Sequence, residues 1–213
     1  IMPIIFQQQL SAGAKLALWE ITESLSFFEQ YIDPVRHIPH EEVKKQHLAA
    51  RATLLALFPQ FPLAQLVLSP SGKPYLEGGP QHVSFSHTTD FAAAIISPKS
   101  RVGVDVEGVG ERIFRIRHKF LSDQEQECLQ TTIKLETLQE TEVAAQWLTL
   151  CWSAKESLYK WQGESGVDFI RDLKLKSVLP EVSQLLFETA FQEEPLRVGY
   201  KCWDSHVLTW VHA

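Results

Sequence analysis

Apolar positions recur along this chain with two periods, and the changes of period mark out short strands and a few helices. Alternating or short apolar runs predict strands at residues 4–6, 15–21, 66–68, 73–76, 82–87 and 91–97. Thr22 or Ser24 is placed to cap a short helix running through Tyr31 and ended by Asp33-Pro34. From Glu41 to Phe58 the spacing is helical, with Val43, Leu48, Leu55 and Phe58 as the apolar stripe and Pro59 as the stop. Lys44, Lys45 and Arg51 belong to this helix, and such charges ordinarily form a solvated face. In the 82–87 strand Val83 and Phe85 point one way and His82, Ser84 and Ser86 the other, which leaves His87 at the strand's end. Ser71-Gly72 and Gly78-Gly79-Pro80 read as turns.

After the turn Pro98-Lys99-Ser100 a new strand begins at Arg101 or Val102. Residues 112–120 form a basic-apolar helical pattern with Ile113, Ile116 and Phe120 inward, and Ser122-Asp123-Gln124-Glu125 has the form of a capping box for a helix to about Gln130. A long helix is predicted from Gln139 to Gln162, closed by Gly163. Strands follow at 169–178, 184–189, 196–203 and 207–212. Helices and hairpins recur throughout, so the expected class is α+β.

Two stretches carry candidate chemistry. In Val102-Gly103-Val104-Asp105-Val106-Glu107 the strand period puts Asp105 and Glu107 on one face and the three valines on the other. Two neighbouring acids repel each other; either they face water, or a hard divalent cation with oxygen ligands compensates them. In Trp152-Ser153-Ala154-Lys155-Glu156-Ser157-Leu158-Tyr159-Lys160 the helix period puts Glu156 and Lys160 on one face, with Trp152 a turn upstream. Alone, that is an ordinary surface Glu-to-Lys pair; with the acidic strand it adds a third carboxylate and a cation on a rigid element.

The two motifs together, G-(I/V)-D-x-E and later W-S-x-K-E-(A/S)-x-x-K, resemble the signature of the 4'-phosphopantetheinyl transferases. The length is similar to that of the surfactin-type branch, in which one chain folds as two similar α/β halves packed as a pseudo-dimer. The resemblance implies that fold, with residues 1–100 as the half contacting the coenzyme A nucleotide and 101–213 as the half with the metal site and catalytic helix. It implies transfer of the phosphopantetheine arm of coenzyme A to a serine of an apo acyl or peptidyl carrier protein, releasing 3',5'-adenosine diphosphate. Carried over residue by residue, the ligands for Mg2+ or Mn2+ are Asp105, Glu107 and Glu156. Lys160 is a charge on the pyrophosphate or an acid for the leaving phosphate, and the base is Glu156 or a metal-bound water beside Glu107. Lys155, rotated about 100° from Glu156, is a less direct phosphate contact or an orienting group. Gly72-Lys73-Pro74 matches an adenine and phosphate segment, though the same residues also make a hairpin. Phe85-Ser86-His87-Thr88 resembles the (I/F)-S-H-S segment whose Ser and His meet nucleotide phosphates, and Thr88-Thr89 departs from the usual Ser-x-Gly. Arg51 stands where relatives carry a basic residue facing the phosphates. The branch also implies a monomer.

Composition narrows the alternatives. The 213-residue chain suits one large or two small domains, and 45% hydrophobic with 22% charged residues is an ordinary soluble composition. A net charge of -6 argues against non-specific nucleic-acid binding. Three widely spaced cysteines without CxxC fit a reducing cytoplasm, and no apolar run is long enough for a bilayer and no charged-then-apolar leader opens the sequence. Arg112, Arg115, Arg117, His118 and Lys119 form the densest basic cluster, either a solvated helix face or a steering surface for an acidic carrier. Two other classes fit the same residues less well. A metal-dependent nuclease uses similar carboxylates and lysine, but Glu156 and Lys160 sit on a helix and no basic-aromatic track is present. A coenzyme A or carrier-binding module without catalysis would not need the full carboxylate and lysine set.

Overall fold

The strand periodicity is realised as two antiparallel sheets in the computed structural model, which describes residues 3–33, 38–134, 138 and 141–213. The first sheet contains β1 (Ile4–Gln9), β2 (Lys15–Glu20), β3 (Leu66–Leu68), β4 (Pro74–Leu76), β5 (His82–His87) and β6 (Phe91–Ser97), in the order β1-β2-β6-β5-β4-β3. The second contains β7 (Val102–Gly108), β8 (Leu173–Leu179), β9 (Gln184–Thr189), β10 (Gln192–Trp203) and β11 (His206–His212), in the order β7-β11-β10-β9-β8. The helices are α1 (Leu25–Glu29), α2 (Glu41–Leu57), α3 (Arg112–Ile116), α4 (Asp123–Ile133) and α5 (Glu142–Gln162). The class is α+β, as the pattern predicts.

Four layers result, because each sheet is apolar on both faces. Leu16, Leu18, Ala93 and Ile95 of the first sheet meet Val102, Val104, Val106, Leu208 and Trp210 of the second in one buried cluster. Each fully buried Leu or Ile there contributes roughly 1.5–3 kcal/mol. The outer face of the first sheet carries α2, and that of the second carries α5 through Leu148, Cys151, Ala154 and Leu158. Among the described residues no helix is long and apolar enough to cross a membrane.

Several local expectations shift. Val43 and Phe58 are exposed, and α2 buries Leu48, Ala49, Ala50, Arg51, Leu54 and Leu57 instead. Alanines set this face, because they let the helix approach Ala92 and Ala94 of β6, and alanine carries little weight in an apolar pattern. Residues 169–172 are a turn, not the start of β8: Asp168 Oδ1 accepts from the amides of Ile170 and Arg171. The capping box of α4 is complete, with Ser122 and Glu125 bonding reciprocally, and the helix runs on to Ile133. The basic-apolar stretch is α3 followed by a tight turn at Arg117–Lys119, and both Phe114 and Phe120 enter the core. Helix α5 starts under Thr141, whose hydroxyl accepts from Ala144 N at 3.2 Å, while Gln139 and Pro34 lie outside the described residues.

One glycine sets how the two motifs meet. A Cβ on Gly103 would lie 1.9 Å from the Ser157 carbonyl oxygen and 2.8 Å from Trp161 N. Gly103, Asp105 and Glu107 share a face of β7, and that face lies against α5. The glycine removes the side chain at the crossing, so the helix backbone touches the strand and the carboxylates beyond it are overlaid by Glu156 and Lys160.

Candidate active site

A cleft of about 540 Å3 opens between the sheets, lined by Arg51 of α2, Lys73 and Pro74 of the β3–β4 hairpin, Ser86 and His87 of β5, Asp105 and Glu107 of β7, and Glu156 and Lys160 of α5. These elements converge because β5 docks beside β7. Ser84 Oγ accepts from Val104 N at 3.2 Å, and Ser86 Oγ donates to Asp105 Oδ1 at 2.9 Å. The serine face of β5 is therefore buried against the second sheet.

Asp105 is buried and also receives the Lys160 ammonium on Oδ1 at 2.6 Å. Its other oxygen, Oδ2, is buried with no hydrogen-bond partner among the described residues. Burial, then the Asp105 charge, raises Glu107 to about 7, against the opposing indole N–H of Trp152. Glu156 is pushed up by burial and by Asp105, with Lys160 opposing. The three carboxylates thus act on one another through a shared field.

Among the described residues no group of three His, Cys, Asp or Glu side chains is gathered closely enough to hold a metal ion. The donor chemistry nevertheless fits one. Mutual repulsion, an all-oxygen donor set and a buried carboxylate oxygen lacking a donor are what a hard divalent cation satisfies. Lys160 partly offsets that charge at Asp105.

The opposite wall is cationic. Arg51 is buried, donates to the His47 carbonyl at 2.9 Å and stands 5.3 Å from the centre of the Phe85 ring. The solvated face expected for it is corrected: the alanine face of α2 turns this arginine into the cleft. His87, at the end of β5, is held below the ordinary histidine range by burial and by the charges of Lys160 and Arg51. Lys73 is lowered to about 8 by burial and by Arg101, and its ammonium donates to the Trp161 carbonyl at 2.5 Å. Beside it Ser71 Oγ donates to Gly163 O at 2.5 Å. Thr88 does not enter the cleft lining; its hydroxyl accepts from Phe91 N at 3.1 Å and closes the β5–β6 turn.

Of the two roles open to Lys155, direct contact with a substrate phosphate is corrected. It is fully buried away from the cleft, donating to Glu125 Oε1 at 2.6 Å, Phe120 O at 2.6 Å and Phe169 O at 2.8 Å. An ammonium has three donors, and all three are engaged inside the protein. The 100° step from Glu156 carries its side chain into the core.

Sequence reasoning passed over His47 and Tyr159, which also line the cleft. Helical spacing was the available signal, since they stand four residues before Arg51 and three after Glu156. Ser84 had none. Past Glu107, Arg112, Arg115, His118 and Lys119 are exposed, whereas Arg117 donates to the Leu138 carbonyl at 2.9 Å.

A family model described as the 4'-phosphopantetheinyl transferase superfamily matches residues 101–211, just over half of the chain. No curated protein matches the chain.

Proposed function

From the premise that the chain belongs to the 4'-phosphopantetheinyl transferase superfamily, and so is a transferase of the phosphopantetheinyl type, we propose that it moves the phosphopantetheine arm of coenzyme A to a serine of an apo acyl or peptidyl carrier protein. The reading rests on one observation: a single cleft has Arg51, Lys73 and His87 on one wall and Asp105, Glu156 and Lys160 on the other. A polyanionic substrate across that cleft meets the charges of Arg51, Lys73 and Lys160, the His87 imidazole, which burial and its cationic neighbours keep from taking up a proton, and the facing carboxylates. Residues 1–100 and 101–213 are then the two halves of a surfactin-type enzyme, acting as a cytoplasmic monomer.

The carrier serine hydroxyl attacks the phosphorus bearing the pantetheine arm. A new O–P bond forms, the P–O bond to the nucleotide breaks, and 3',5'-adenosine diphosphate leaves. Glu156 accepts the hydroxyl proton as the general base. Lys160 supplies positive charge where the leaving phosphate gains negative charge. Asp105, Glu107 and Glu156 would hold Mg2+, which when bound draws charge off the pyrophosphate oxygens. Lys73, Arg51 and the Ser86-His87 segment position the nucleotide phosphates and Pro74 the adenine side. The exposed cations after β7 steer an acidic carrier towards the site.

Intact-mass spectrometry of a panel of apo carrier proteins, incubated with this protein, coenzyme A and Mg2+, tests the proposal. A gain of one phosphopantetheine mass that EDTA abolishes supports it. No gain on any carrier, with coenzyme A still bound, favours a binding module, and no coenzyme A binding removes the reading altogether.

A further inference from the structure

We propose that Trp152 is a positioning residue that orients the Glu107 carboxylate, and that the buried Lys155 holds Trp152 in place. The inference rests on the transferase reading, because it assigns Glu107 a ligand's task.

Trp152 Nε1 donates to Glu107 Oε1 at 3.3 Å, from α5 to β7. Glu107 is the last acid of its strand, with Gly108 following, so the backbone leaves its longer side chain several rotamers. Asp105 is fixed by Ser86 and Lys160; Glu107 has the indole. The indole is itself clamped. Phe120 packs edge-on to it with ring centres 5.3 Å apart, and Phe169 lies tilted at 5.5 Å. These two rings come from segments with no regular secondary structure at those residues, and aromatic contacts alone fix such segments weakly.

Lys155 supplies the restraint. It accepts nothing and donates to the backbone carbonyls of both clamp residues, Phe120 and Phe169, and to Glu125. Glu125 in turn accepts from Leu175 N at 2.8 Å on Oε1 and from Ser122 N at 2.8 Å on Oε2. One buried ion pair therefore ties the turn after α3, the start of α4, the loop after α5 and β8 to the helix that carries Glu156. Apolar residues would pack such a place at least as stably, since burying two charges carries a desolvation cost. What the pair adds is a fixed position for two carbonyls and hence for the rings on either side of Trp152. Lysine and tryptophan three residues apart lie on neighbouring parts of the helix surface, which is why one can anchor the walls around the other.

The test is Mn2+ binding to the coenzyme A-loaded protein, followed by the electron paramagnetic resonance signal of the free ion. It compares the parent, Trp152→Phe, Glu107→Gln and the double variant. Phenylalanine keeps a ring for the clamp and removes the N–H. Trp152→Phe is expected to weaken Mn2+ binding about 10-fold or more, with thermal midpoint and metal-free coenzyme A affinity unchanged, and to have no added effect in Glu107→Gln. Unaltered Mn2+ affinity in Trp152→Phe, or an equal loss in both backgrounds, overturns the proposal and leaves the transferase reading standing. Absence of Mn2+ binding in the parent overturns both, and is recognised from the parent alone. For the anchor, Lys155→Met combined with Glu125→Leu removes both charges together; a folded protein, judged by near-ultraviolet circular dichroism, should lose Mn2+ affinity as Trp152→Phe does. Full affinity in that folded variant, or in Lys155→Met alone should the pair fail to fold, overturns the role of Lys155.

Discussion

Lys73 Nζ donates to the Trp161 carbonyl at 2.5 Å, so a hairpin of the first sheet caps the last turn of α5 in the second layer pair. A cation at a helix C-terminus is favourable, and Ser71 donates to the carbonyl of Gly163, two residues on. The residue expected to meet a substrate phosphate is thus also a tie between the two sheets.

Its titration separates the two roles. Lys73 is held at about 8 in the folded protein, below its ordinary 10.5. Below pH 8 it is charged both folded and unfolded, and the cost of its partial burial is fully present. Between pH 8 and about 10.5 the unfolded chain holds a proton that the folded one lacks, so this group's contribution to stability rises with pH. Coenzyme A affinity should move the opposite way and fall above pH 8, as the ammonium facing its phosphates is lost. Urea unfolding and calorimetric coenzyme A titration at pH 7 and 9, each compared with Lys73→Met, check this. Identical pH dependence in the variant would remove Lys73 from both roles.

Gly103→Ala should be among the most damaging small substitutions. Its methyl would sit 1.9 Å from a backbone oxygen of α5, which no rotamer relieves. Overpacking of this kind costs about 1–3 kcal/mol or more, and separating α5 from β7 also moves Glu156 and Lys160 from Asp105. A lowered denaturation midpoint together with lost transfer is expected; a stable, active variant would show that the crossing has slack.

Ser86→Ala removes a donor from a buried carboxylate. Hydrogen bonds to charged groups contribute about 1.5–3 kcal/mol, and this one also joins the sheets. The expected result is a loss of stability of that order in urea unfolding, with a raised KM for coenzyme A. A raised KM without loss of stability would assign Ser86 to the nucleotide alone.

The residues legible in the sequence are those whose spacing is local. Asp105 and Glu107 follow from a period of two, Glu156 and Lys160 from a separation of four, and the capping box at Ser122 from its own four residues. What the pattern missed depends on contacts remote in sequence. Lys73 and Trp161 are separated by 88 positions and Ser84 meets Val104 across 20. Lys155 is the clearest case. The sequence makes it a phosphate contact or an orienting group beside Glu156, and only the third dimension supplies the Glu125 carboxylate and two carbonyls that bury it. Arg51 failed to read as buried for a related reason: the packed face of α2 is marked by alanines, whose small size is its purpose and whose pattern is faint.

Glu156 has two assigned tasks, and one pair of substitutions divides them. Glu156→Gln removes a charged oxygen donor and the base together. Glu107→Gln removes a donor of the same kind and leaves the base. Both should weaken divalent-ion binding, since each takes one carboxylate from a set of three. Raising Mg2+ to saturation should therefore restore much of the transfer rate in Glu107→Gln. In Glu156→Gln it should not, because a missing base lowers the rate by about 10^2–10^4 at any ion concentration. Coenzyme A affinity without metal should hold or improve in both, as each loses a negative charge facing a polyanion. Initial rates of carrier modification against Mg2+ concentration, with carrier and coenzyme A saturating, give the comparison directly. Equal recovery of the two variants would move the base elsewhere in the cleft and leave Glu156 as a ligand alone.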